Sequence, residues 1–157
     1  MSSQLARRFV QDAGVILDIS RGLSDSELNA FPVAGTWSLR QLCAHLLDSD
    51  LIAVHRMKRM IAEDLPLLIS YDESAFVSRL PYQELSISTI ADLFRLNRLH
   101  MGEILERQDE AAWERQGVHN QRGKVSLREM VELYVHHVEH HLKFAREKRR
   151  VLGKPMG

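Results

Sequence analysis

The sequence predicts an all-α fold, a bundle of four long helices in one domain spanning residues 1–157. Apolar residues recur at intervals of three and four along four separate stretches, the spacing that gives a helix one apolar face. Alternation of period two is hard to find and β-branched residues are scattered, so no segment predicts a sheet. A chain of 157 residues is long enough to bury one hydrophobic core and too short for two ordinary ones.

The first two predicted helices have clear boundary signals. The first covers residues 3–20 and is expected to end near Gly22. The second begins after Ser38, because Ser38 and Gln41 have the spacing of a capping box, in which each side chain accepts from the backbone N–H of the other residue. This second helix is predicted over Leu39–Ile61.

The third and fourth helices follow an irregular crossover that includes prolines and the segment Tyr71–Glu73. Apolar periodicity predicts the third helix across Ile90–Leu105. The fourth is predicted over 126–150, starting from a second capping box formed by Ser126 and Glu129. Four helices with one long connection between the second and third predict an up-and-down style bundle.

Charge and composition exclude several classes of function. The 21 basic and 21 acidic residues cancel, so no strong field attracts a nucleic-acid backbone or an anionic membrane. No uncharged apolar run approaches the roughly 20 residues that span a bilayer. The single cysteine, Cys43, cannot form an internal disulfide, and residues 1–20 lack the basic start and apolar run of a secretion signal. We therefore expect a cytoplasmic protein that binds neither nucleic acid nor membrane.

Clustered histidines are the clearest functional signal. Four of the eight histidines lie within residues 136–141 of the fourth helix. At about 100° per residue, His141 falls inside the apolar arc and His137 at its edge, whereas His136 faces solvent and His140 lies well toward it. Two imidazoles four residues apart on one helix face can converge on a single divalent ion. The spacing therefore favours the pair His137 and His141.

A catalytic zinc-type centre needs about three protein ligands and an open position, so the pair is incomplete. His45, on the second helix, is the best third ligand by residue type, although it lies at the border of that helix's apolar arc. The alternative is that these histidines are surface residues or hydrogen-bonded core residues, and the pattern alone leaves both interpretations open. The string contains no His-Glu-x-x-His arrangement, so a zinc-protease helix is not predicted.

Two segments carry a resemblance to a known family. The first leads from Trp37-Ser38-Leu39-Arg40-Gln41 to His45-Leu46-Leu47-Asp48-Ser49, and the second from Tyr134 to His137-Val138-Glu139-His140-His141. Tyr71-Asp72-Glu73 in the crossover and His119 with Gly123 before the last helix extend the similarity over most of the chain. Taken in this order and spacing, the segments resemble the DinB/YfiT-like superfamily. The resemblance implies a four-helix bundle with a long crossover between helices 2 and 3.

The resemblance also implies a homodimer and a divalent metal, nickel or zinc, held by His45, His137 and His141. It further implies a metal-dependent thiol S-transferase or hydrolase acting on a small molecule, with a low-molecular-weight thiol such as bacillithiol or mycothiol as cosubstrate. The rival hypothesis is a non-catalytic metal-binding or stress-response module that dimerises. Asp50 stands where the YfiT-like pattern usually has another histidine.

Polar residues near the expected centre are predicted to orient the imidazoles by hydrogen-bonding the ring nitrogen that does not bind the metal, as such partners do at most histidine metal sites. The candidates by sequence logic are Asp48, Asp50, Tyr71, Asp72 and Glu73. Asp50 falls within the apolar arc of the second helix, where an unpaired carboxylate is costly, so a partner in the interior is predicted for it. Cys43 is predicted to face the core as inert packing.

Overall fold

Four helical arms form the body of the molecule, and the computed structural model describes them over residues 2–157. The elements in chain order are α1 Ser2–Gln11, α2 Val15–Ser20, α3 Asp25–Asn29, α4 Leu39–Ala62, β1 Leu67–Leu68, α5 Glu73–Arg79, a 3₁₀ turn at Tyr82–Glu84, α6 Ile87–Glu106, α7 Glu110–Trp113, β2 Gln116–His119, β3 Gly123–Ser126 and α8 Leu127–Val151. The arms are α1 with α2, then α4, α6 and α8, packed side by side. In the described part of the chain, none of these helices is both long enough and apolar enough to cross a membrane.

Both predicted capping boxes are confirmed, and they fix where the two longest helices begin. The backbone N–H of Gln41 donates to Ser38 Oγ at 3.1 Å, and the N–H of Ser38 donates to Gln41 Oε1 at 2.9 Å. At α8 the same exchange joins Ser126 and Glu129, at 3.1 and 2.7 Å. Because the caps set the first turn, they also set which face every later residue of α4 and α8 presents.

The first arm differs from its prediction, since residues 3–20 form two helices rather than one. The break lies at Asp12–Gly14, where Ala13 N donates to Val10 O at 2.9 Å and Val15 N donates to Asp12 O at 3.0 Å. These bonds span three residues and tighten the chain into a turn. Glycine is a poor helix former, which makes this the natural place for the helix to stop and restart.

A small three-stranded sheet, which the sequence did not predict, closes one end of the bundle. β1, in the crossover between α4 and α6, pairs parallel with β2, and β2 forms an antiparallel hairpin with β3 that ends at His119 opposite Gly123. Gly117 lies so close to β1 that a Cβ there would come within 2.7 Å of a Leu68 side-chain carbon. The prediction that no sheet forms was therefore wrong. The sequence carries no signal for it, because strands of two and four residues are too short to show an alternating pattern.

A buried ion pair ties the four arms together. Asp50 on α4 is 1% exposed and Arg98 on α6 is fully buried, with Arg98 Nη2 at 2.7 Å from Asp50 Oδ1. Arg98 also donates to the backbone carbonyls of Phe9 at 2.8 Å and Tyr134 at 3.0 Å, on α1 and α8. The interior partner predicted for Asp50 is therefore confirmed, and it is an arginine that reaches every arm of the bundle.

Candidate metal centre

Three histidines meet between α4 and α8. His45 Nε2 lies 3.2 Å from His137 Nε2 and 3.2 Å from His141 Nε2. One ring nitrogen from each residue falls within a group whose members are all less than 4.8 Å apart. The structure thus brings together the three residues that the sequence singled out, with the same ring atom of His45 facing both of the others.

Local helical geometry supplies two of these side chains, and packing between helices supplies the third. His137 and His141 are one turn apart on α8, so their rings project from the same side, with centroids 4.5 Å apart. His45 comes from the second turn of α4, where it is 1% exposed. Trp37, just before the cap of α4, lies against the centre with its ring 4.9 Å from His45 and stacked at 6.3 Å on His141.

All three imidazoles are held in the neutral form. Burial, together with the nearby His141 ring, lowers the pKa of His45 from its ordinary value of 6.5 to about 4. Burial and the adjacent His140 lower the pKa of His141 to about 4, and burial with the other two histidines lowers the pKa of His137 to about 3. Near pH 7 each ring therefore keeps a lone pair available for a Lewis acid.

The spacing of the ring nitrogens fits a divalent cation. Metal–nitrogen bonds of about 2.0–2.1 Å place neighbouring ligand nitrogens about 2.8–3.0 Å apart in octahedral geometry and about 3.3–3.4 Å apart in tetrahedral geometry. The two distances from His45 are both 3.2 Å, between these ranges. Hydrogen bonding alone explains the cluster poorly, because Nε2 of a neutral ring carries either one hydrogen or one lone pair and cannot serve two neighbours equally. Three neutral imidazoles are a donor set that suits transition-metal ions.

A carboxylate also faces the centre. Glu73 is the first residue of α5, and Asp72 caps that helix by accepting from the N–H of Ala75 at 2.9 Å. This cap aims the Glu73 side chain inward, with Oε2 at 3.6 Å from His45 Nε2 while 54% of the side chain stays exposed. Glu73 is therefore placed to exchange protons between the centre and solvent.

Two cavities have a histidine of the centre in their walls. A polar cleft of about 770 Å³ has His137 in its wall, between the crossover and the β2–β3 hairpin. Other residues lining it include Ser49, Arg56, Tyr71, Glu73, His119 and Tyr134. A smaller, mostly apolar pocket of about 270 Å³ has His141 in its wall, with Trp37, Leu42, Phe144 and Lys148 around it. The centre is thus bordered by two cavities that differ in polarity.

Most of the residues predicted to orient the imidazoles bind other groups instead. Asp48 accepts from the Tyr82 hydroxyl, Tyr71 bonds to Ser49, Asp72 caps α5, and Asp50 pairs with Arg98. Within residues 2–157, none of these four hydrogen-bonds a ring of the centre, so their predicted role was wrong. The rings are instead held by aromatic packing, from Trp37 and from Tyr134, whose ring meets His137 edge-on at 5.7 Å.

The residues predicted to stay away from the centre do so. His136 is exposed and lies 3.0 Å from Glu139, which in turn pairs with Arg8 at 2.6 Å. Cys43 is fully buried, and burial raises the pKa of its thiol to about 12, which leaves it unreactive near neutral pH.

Sequence reasoning missed Arg56, which lines the polar cleft although it is only 6% exposed. A signal was present, because His45, Ser49, Ile52 and Arg56 follow one another at intervals of four, three and four along α4. That stripe places Arg56 on the same face of α4 as His45, three turns further along the helix.

The model of the DinB superfamily matches residues 8–145. The chain belongs to the DinB superfamily. Among relatives, it is 30% identical over 138 residues to the protein named "Putative metal-dependent hydrolase YfiT" of Bacillus subtilis, covering 83% of this chain and 74% of that one. A protein of Oceanobacillus iheyensis with a similar name is 29% identical over 123 residues, covering 76% and 69%. The family resemblance that the sequence predicted is confirmed.

Solved structures confirm the fold expected of a DinB superfamily member. The structure of YfiT from Bacillus subtilis, described as a probable metal-dependent hydrolase with an unusual four-helix bundle topology, superposes with a TM-score of 0.90 at 22% identity, covering 97% of this chain and 87% of that one. A mycothiol-dependent maleylpyruvate isomerase superposes with a TM-score of 0.66 at 16% identity, covering 90% of this chain and 58% of that one. The three-histidine group of this DinB protein and the names of its relatives together support a divalent metal.

Acidification is expected to weaken the metal-free protein. The unfolded chain takes up protons on its histidines as the pH falls below 6.5, whereas folded His45 resists protonation until about pH 4. Stability is therefore present above pH 6.5 and is lost between pH 6.5 and 4, by about 3 kcal/mol for His45 alone. Urea unfolding at pH 7.0 and 4.5 measures this loss. It should shrink in His45→Gln but not in a variant of the exposed His55, and equal losses in both would contradict the explanation.

Proposed function

We propose that this protein is a metal-dependent thiol S-transferase that joins a low-molecular-weight thiol to a small electrophilic molecule. The observation that supports this most is that two cavities border the centre, a polar cleft with His137 in its wall and an apolar pocket with His141 in its wall. A reaction between two molecules needs both of them held against one activating group, and two separate approaches provide for that.

In this proposal His45, His137 and His141 hold zinc or nickel through their Nε2 atoms. A divalent ion bound there would lower the pKa of a thiol or a water molecule that it binds. The neutral rings and the buried setting are the chain's contribution, because they keep the lone pairs free and keep bulk water from one side. On the side of the apolar pocket, Trp37 packs against His45 and His141 and gives the pocket an apolar wall that limits water there.

Glu73 is assigned the proton transfer. Its carboxylate accepts the proton of the thiol as sulfur attacks, and it releases that proton to solvent through its exposed side. The sulfur forms a bond to the electrophilic carbon while the bond from that carbon to its leaving group breaks, and the leaving group departs with the electron pair.

Hydrolysis is the second candidate, and the position of Glu73 also favours it. A water molecule can donate its proton to the same carboxylate, with oxygen replacing sulfur as the attacking atom. The relatives in Bacillus subtilis and Oceanobacillus iheyensis carry names of metal-dependent hydrolases. The polar cleft accommodates either nucleophile, so the reaction product has to decide between them.

Product analysis tests the proposal. Protein reloaded with zinc or nickel is mixed with 2-mercaptoethanol or bacillithiol and a panel of aryl halides and esters, and products are identified by mass spectrometry. An S-conjugate that forms faster than without protein and depends on the metal supports the transferase. A product that contains oxygen from water instead supports the hydrolase. Absence of turnover in protein with a full metal content contradicts both and favours the non-catalytic module.

Glu73→Gln is expected to keep its metal and lose about 100-fold in turnover, because the amide cannot accept a proton. Glu106→Gln, an exposed change at the end of α6, is the matched control and should behave as wild type. Unchanged turnover in Glu73→Gln would remove this residue from the mechanism.

The small-molecule substrate, the homodimer and the cytoplasmic location remain predictions. Analytical ultracentrifugation at micromolar concentration measures the oligomeric state directly.

A further inference from the structure

Arg56 is a buried cation that has no carboxylate partner. Its guanidinium donates to the Tyr134 hydroxyl from Nη1 at 3.1 Å and to the backbone carbonyl of Ile69 from Nη2. Its Nε is buried and makes no hydrogen bond. Among residues 2–157, no aspartate or glutamate lies within ion-pair distance of it, although the side chain is only 6% exposed.

The other buried arginines of the described chain are compensated. Arg98 pairs with Asp50, and Arg40 pairs with Asp25. Arg149 has no carboxylate partner, but it donates to a group of backbone carbonyls at the C-terminal end of α2, those of Ile19 and Arg21, and to that of Lys154. Burying a charge without a partner is costly, because the lost hydration is not replaced. Arg56 has neither a carboxylate nor a comparable group of carbonyls, and it lines the cleft that has His137 in its wall.

Further hydrogen-bond donors line the same part of the cleft. His119 Nδ1 accepts from the N–H of Gln121 at 3.2 Å, so in the neutral ring the hydrogen lies on Nε2. The Tyr134 hydroxyl accepts from Arg56, which leaves its own hydrogen to donate. Arg122, at the exposed tip of the β2–β3 hairpin, adds a second positive charge to the rim.

We propose that Arg56, His119 and Tyr134, with Arg122 at the rim, form a subsite that binds a carboxylate of the molecule acted on at the metal centre. The subsite is close to that centre, because the ring of Tyr134 contacts His137 edge-on at 5.7 Å while its hydroxyl bonds to Arg56. Asp72 and Glu73 line the same cleft, which favours a singly charged carboxylate over a doubly charged phosphate. The proposal narrows the substrate class of the proposed function and rests on it for the location of the reaction.

Binding of a matched pair of thiols tests the subsite without turnover. Zinc-loaded protein is titrated by calorimetry with 3-mercaptopropionate and with its uncharged amide, 3-mercaptopropionamide. Both carry the same thiol, so the ratio of their dissociation constants isolates the carboxylate. Wild type is expected to bind the carboxylate at least about tenfold more tightly, as charge-assisted hydrogen bonds require.

Arg56→Met is expected to abolish this preference and to leave the affinity for the amide unchanged. Arg95→Met, an exposed change on α6, should keep the preference. Tyr134→Phe keeps the ring against His137 and should reduce the preference partially, which provides a test even if Arg56→Met folds poorly. A preference that persists in Arg56→Met and in Tyr134→Phe means that the carboxylate binds elsewhere, for example at the metal, and overturns the proposal.

A second titration decides whether the bound carboxylate belongs to the thiol or to the electrophile. Propionate and propionamide are compared by nuclear magnetic resonance with 2-mercaptoethanol already at the centre. A preference for propionate that depends on Arg56 assigns the carboxylate to the electrophile, and a preference confined to the mercapto pair assigns it to the thiol. No preference in either titration with wild type overturns the subsite, whereas a preference without any turnover in the product assay overturns only the transferase.

Discussion

Each of the variants His45→Ala, His137→Ala and His141→Ala is expected to lose the divalent ion that wild type retains at about one per chain. Two imidazoles remain in each variant, and the third corner of the site becomes a methyl group, so affinity should fall by more than about 100-fold. Elemental mass spectrometry of dialysed protein measures the content. Because the three Nε2 atoms form one group, all three changes should have similar effects.

His136→Ala is the matched control for those three variants. His136 neighbours His137 in sequence, but it is exposed and engaged with Glu139 at 3.0 Å rather than with the centre. This variant should keep its metal. Wild type that stays empty after metal supplementation, or a control that loses metal as readily as His137→Ala, would show that the ligand assignment is incorrect.

Asp50→Ala is expected to destabilise the protein by about 3–5 kcal/mol, the second large effect. It leaves Arg98 fully buried with its charge uncompensated, and removing one member of a buried pair is far more costly than removing both. The double variant Asp50→Leu with Arg98→Met should therefore recover much of the loss. Urea unfolding at pH 7, with its midpoint and slope, measures the free energy of unfolding of wild type, of Asp50→Ala and of the double variant.

An exposed ion pair gives the comparison for this prediction. Glu147→Ala removes the surface partner of Arg150, where the two groups lie 2.7 Å apart, and should change the unfolding free energy by less than about 1 kcal/mol. If Asp50→Ala and Glu147→Ala have similar effects, the buried pair does not hold the arms together. Metal content should be measured in parallel, because Arg98 bonds to the carbonyl of Tyr134, one turn before His137 on α8.

Much of the fold is encoded locally, which is why it could be predicted. Each capping box marks the start of its helix within four residues of sequence, Ser38 with Gln41 for α4 and Ser126 with Glu129 for α8. The pairing of His137 with His141 likewise needs only the helical repeat. Short-range signals of this kind fail for β1 and β2, whose pairing joins residues about 50 positions apart in strands of two and four residues.

For the three-histidine centre, too, some features could be predicted from local sequence and others depended on the tertiary structure. The sequence by itself determined four helical stretches, a histidine pair on one face of α8 and, through the family resemblance, His45 as the third member. Only the tertiary structure decided that Asp50 pairs with Arg98, that Glu73 faces His45, and that aromatic rings rather than carboxylates hold the imidazoles. Helical periodicity fixes the direction of a side chain relative to its own helix, whereas its partner depends on how separate helices pack, and that is set by the whole core.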